Sequence, residues 1–96
     1  MRLAIAVSNT VTTVLDANGS NPFWTNLYIF NLGSAIVYAS WTNEATDTNP
    51  LTVANGFPIP PNTFQWIASD DGIVNKGPIQ FIAATAGPFN VRISLE

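Results

Sequence analysis

Apolar residues in this chain recur at every second position or in short blocks, and the 3.6-residue period of a helix is nearly absent. Gly, Pro, Asn and Asp interrupt the blocks repeatedly, which is the signature of strands joined by turns. The clearest case closes the sequence. Phe89, Val91, Ile93 and Leu95 share one face, and Asn90, Arg92, Ser94 and Glu96 share the other. One buried and one solvated face imply an antiparallel sheet. Further strands are expected at 3–7, 10–15, 51–53, 63–68 and 78–84. Turn chemistry separates them at Asp16-Ala17-Asn18-Gly19, Asn55-Gly56, Asp70-Asp71-Gly72 and Ala86-Gly87-Pro88. Short strands at intervals near ten residues predict an all-β, single-domain antiparallel β-sandwich, jelly-roll-like in form.

The central segment predicts a hairpin. Residues 24–30 and 35–41 flank Leu32-Gly33-Ser34, and Gly33-Ser34 suits a two-residue loop of type II′, with glycine at the position needing φ > 0. In that register Phe30 faces Val37, Tyr28 faces Ala39 and Asn26 faces Trp41. Leu27, Ile29, Ile36 and Tyr38 fill the other face, so both faces are apolar. A sandwich buries one face of each strand, and the second therefore asks for another partner. The competing reading is a central strand pair with some exposed aromatics.

A chain of 96 residues holds one core, and 47% hydrophobic residues can fill it. Charged residues are 9% of the chain, against about 25% in ordinary soluble domains. Such a surface suits a protein whose faces are covered by neighbours. The net charge of −3 includes three cations, Arg2, Lys76 and Arg92, too few and too scattered to displace counterions from nucleic acid or to grip anionic lipid. No stretch reaches the ~20 apolar residues of a membrane helix. Leu3-Ala4-Ile5-Ala6-Val7 is too short for a signal peptide before Ser8-Asn9-Thr10 breaks it, so synthesis in a cytoplasm without processing is expected. The segment 42–49 is polar and acidic and reads as an exposed loop.

The chain contains no histidine and no cysteine. The usual zinc, copper and iron sites cannot be assembled without them, nor can Ser-His-Asp or Cys-His nucleophilic systems or a disulfide framework. No glycine-rich loop fits a nucleotide fingerprint. Adjacent Asp70 and Asp71 point apart and cannot converge on one bond. They suit an Asp-Gly turn, and a calcium loop is the alternative. Lys76 beside Gly77-Pro78 reads as a solvated loop residue. No enzymatic activity, no cofactor and no metal are expected. Trp24, Trp41 and Trp66 could form a platform for sugar rings, but a tryptophan in an apolar strand is more often core or subunit interface.

Several segments carry a family resemblance: Asn31-Leu32-Gly33-Ser34 followed by Ile36-Val37-Tyr38, then Phe57-Pro58-Ile59-Pro60-Pro61-Asn62-Thr63-Phe64, and finally residues 78–84 and 89–95. This order resembles small virion proteins of tailed bacteriophages, among them capsid decoration (cement) proteins and tail or neck accessories with jelly-roll-like folds. It covers roughly residues 24 to 95. The resemblance implies a homotrimer seated on the major capsid protein at the virion surface, reinforcing shell joints by contacts repeated over a lattice. A tail or neck adhesion module binding a receptor or carbohydrate is the alternative. Residues 1–20 have no counterpart in this pattern and are expected to form an arm that docks on a neighbour. Trp24, Tyr28, Tyr38, Trp41 and Trp66 are the expected interface residues.

Overall fold

The computed structural model describes residues 1–41, 50–69, 74 and 77–96. The segments 42–49, 70–73 and 75–76 lie outside the described residues, and with them the expected acidic loop, the Asp70-Asp71-Gly72 turn and Lys76.

The strands are β1 (Arg2–Val7), β2 (Thr12–Val14), β3 (Asn26–Asn31), β4 (Val37–Ser40), β5 (Phe57–Ile59), β6 (Phe64–Ala68), β7 (Ile79–Ala83) and β8 (Phe89–Leu95). They form two four-stranded sheets, ordered β1-β8-β3-β6 and β2-β7-β4-β5, and every pairing is antiparallel. The first half of the chain pairs with the second half in reverse: β4 with β5, β3 with β6, β2 with β7, β1 with β8. A long hairpin rolled on itself in this way is a jelly-roll sandwich.

Strand parity fills the core between the sheets. One sheet contributes Val7, Leu27, Ile29, Val91, Ile93 and Leu95, and the other Val14, Val37, Ala39, Ile59, Ile79, Phe81 and Ala83, all buried. The alternation read in residues 89–96 is the observed one for Asn90 to Leu95, while Phe89 is half-buried against the core rim.

Asn31 is fully buried and joins the two layers. Its Nδ2 donates to the carbonyls of Ala35 (2.9 Å) and Ile59 (2.8 Å), and its Oδ1 accepts from the Gly33 amide at 2.9 Å. Its backbone amide donates to Thr63 O at 3.0 Å, and its carbonyl accepts from the Asn62 amide at 2.8 Å. Each polar group of this residue is satisfied, which is the condition for burying it without a penalty.

Three expectations need correction. The central hairpin does not form, because β3 and β4 lie in different sheets. Gly33 is not in the positive-φ region that a type II′ loop requires; among the described residues that glycine is Gly19. A Cβ on Gly33 would lie 2.9 Å from Phe89 Cβ, so glycine serves close approach to β8 as the chain crosses between sheets. Residues 51–53 form no strand. Leu51 is buried, and Thr52 to Asn55 form a turn closed by the Asn55 side chain, whose Oδ1 accepts from the Thr52 amide at 2.8 Å. A strand lies at β5 instead, across Phe57-Pro58-Ile59. β5 is at the sheet edge, where a residue without an amide hydrogen is tolerated. Residues 1–20 are not a free arm: β1 pairs along its length with β8, and β2 pairs with β7.

Candidate functional site

The outer face of the β1-β8-β3-β6 sheet is where the aromatic side chains gather. Parity turns Tyr28 and Phe30 outward on β3, and Phe64 and Trp66 outward on β6. Antiparallel register sets Tyr28 opposite Trp66 and Phe30 opposite Phe64. The Tyr28 and Trp66 rings lie 6.4 Å apart and within 8° of parallel. Tyr28 also stacks with Phe64 at 6.0 Å, and Phe64 meets Phe30 at 6.2 Å in a tilted contact. Phe64 and Trp66 are more than half exposed, at 54% and 56%, although they already touch aromatic neighbours. The four rings form one continuous apolar ridge, and large apolar patches on a sheet face mark interaction sites.

Polar groups border the ridge. Trp66 Nε1 donates to Asn26 Oδ1 at 3.0 Å, which fixes the indole across the strand pair. A hydrogen bond from the Tyr28 hydroxyl to the Glu96 side chain, with smaller help from burial and from that carboxylate's charge, raises the Tyr28 pKa above its ordinary value. Arg92 on β8 pairs in register with Phe30. Beyond it the outward positions are Ala4 and Ala6 on β1 and Ser94 on β8, all small, with Arg2 and Asn90 at either end. Two adjoining cavities of about 310 Å³ each open there. Arg2, Ala4, Arg92 and Ser94 border the first, and Ala4, Ala6, Pro88 and Asn90 the second.

The expected interface residues are therefore divided. Tyr28 and Trp66 sit together on the ridge. Tyr38 is outward on the opposite sheet, half-buried between Pro58 and Ile82 in register. Trp41 follows β4, packs on the core rim and meets Phe57 edge-on at 5.5 Å and 63°. Trp24 is 2% exposed and belongs to the core, so it cannot present a surface. Its Nε1 finds no acceptor among the described residues. Phe30 and Phe64 were missed, although each stands two residues from a candidate on the same strand. That spacing of two was the available signal.

Among the described residues no group of three or more His, Cys, Asp or Glu could hold a metal ion, and no helix is long and apolar enough to cross a membrane. No family model, curated protein or solved structure matches the chain.

Proposed function

We propose that this protein is a non-enzymatic structural module that self-associates and adheres to a larger protein assembly. The assembly suggested by its sequence resemblance is the shell of a tailed phage, where it acts as a decoration protein. The observation that carries this reading is the ridge of Tyr28, Phe30, Phe64 and Trp66, left largely uncovered on one sheet face. Burying exposed aromatic rings is the main source of binding energy at protein interfaces. The 9% charged content supports it, because few charges must be stripped of water when faces meet. Particles purified from cells that encode the chain should carry the protein in many copies. Trp66→Asp should remove it from them while the isolated protein stays folded. Particles free of the protein, or undiminished binding by the variant, would overturn the reading.

A second reading draws on the near-parallel Tyr28 and Trp66 rings beside Asn26 and Ser94, which could stack on a sugar and hydrogen-bond its hydroxyls. A glycan array showing saturable binding abolished by Trp66→Ala would favour it.

A further inference from the structure

We infer that the partner of the aromatic ridge is a second copy of this chain, docked face to face about a two-fold axis. The axis runs along the strands between β8 and β3. This rests on the self-association in the reading above and names the occupant of the ridge. The sheet face is divided lengthwise into complementary halves. The β3–β6 half is a ridge of four rings. The β1–β8 half is a trough floored by Ala4, Ala6 and Ser94, with both cationic side chains of the described residues, Arg2 and Arg92, on its border.

Within one chain, register aligns Arg2, Ser94, Tyr28 and Trp66 in one row across the sheet, and Ala4, Arg92, Phe30 and Phe64 in the next. A two-fold axis between β8 and β3 lays β6 of one copy over β1 of the other, and β3 over β8, with rows kept. Trp66 then meets Arg2 of the second copy, Phe30 meets Arg92, and Phe64 enters the space above Ala4. Bulk meets a trough, and guanidinium groups meet the negative faces of aromatic rings. Each contact occurs twice, as an isologous interface requires. Four strands ~4.8 Å apart give a face roughly 19 Å across, a small interface, so the pair is weak and concentration-dependent.

The absence of cysteine makes cross-linking a clean test. Chains carrying Ala4→Cys and chains carrying Phe64→Cys are mixed and treated with a short bis-maleimide, which spans the ~10 Å between packed sheets that a disulfide would not. The mixture should form covalent dimer at least several-fold faster than either variant alone, because position 4 faces position 64 and neither faces itself. Sedimentation of the parent should show a monomer–dimer equilibrium that Arg2→Ala and Trp66→Ala each weaken by about 10-fold. Equal cross-linking by a single variant, a parent that stays monomeric at millimolar concentration, or a parent of trimer mass would overturn the pair. Monomeric protein that still decorates particles would remove the pair and leave the adhesion reading intact. A dimer that binds no particle would do the reverse.

Discussion

Asn31 on β3 donates from its side chain to the carbonyl of Ile59 on β5 at 2.8 Å, a buried hydrogen bond that ties one sheet to the other. Asn31→Ala removes this bond together with those to Ala35 O and from the Gly33 amide, and leaves buried partners unsatisfied. The expected loss is about 2–4 kcal/mol of unfolding free energy. A urea midpoint unchanged from the parent would contradict this role.

Trp24 and Trp66 are the same residue type in opposite settings. Trp24→Ala empties a core site and should cost about 3–5 kcal/mol. Trp66→Ala removes an exposed ring and one surface hydrogen bond, and should cost under about 1 kcal/mol in dilute solution. Equal losses in chemical denaturation would show that the ridge is part of the stabilising core.

Gly56 lies against Tyr38: an added Cβ would stand 2.7 Å from Tyr38 Cβ and 2.9 Å from Leu51 Cδ1. The Tyr38 Cβ is fixed to its strand and cannot swing aside. Gly56→Ala should therefore cost about 1–3 kcal/mol through overpacking. A thermal midpoint equal to the parent's would show that the turn yields freely.

The Tyr28 hydroxyl titrates above its ordinary value of 10.0 because it donates to the Glu96 side chain. A folded-state pKa raised above the unfolded one stabilises the protein below about pH 10 and loses that contribution as pH rises through the folded value. Ultraviolet titration of a Tyr38→Phe background should show late ionisation of Tyr28, and Glu96→Gln should bring it back toward 10.0. An unmoved titration on removing the carboxylate would exclude Glu96 as the cause.

Local alternation made most strands legible: 3–7, 63–68 and 78–84 fall on β1, β6 and β7 with small shifts at the ends. Pairing was not legible, because period-two patterning states which side chains share a face and not which strand lies alongside. Gly33-Ser34 reverses the chain whether its flanks pair or cross to another sheet. Pro58 concealed β5, since the sequence does not mark which strand will be an edge. The ridge was half visible: Tyr28 and Trp66 stood out singly, and only the β3–β6 register joins them to Phe30 and Phe64. Trp24 misled because an indole is equally at home in a core and at an interface.

The place of β8 between β1 and β3 also orders events in time. A chain emerging from its N terminus cannot complete the first sheet until residues 89–95 are free to insert between strands made much earlier. Until then β1 and β3 expose unpaired edges, which are open to other chains. Closure joins Arg2 to Ser94 across nearly the whole sequence, and such distant contacts place folding in the range of milliseconds to seconds. Crowded synthesis of many copies therefore favours strand exchange between neighbours, and fewer chains started at once should raise the yield of native protein, whereas slower elongation should lower it.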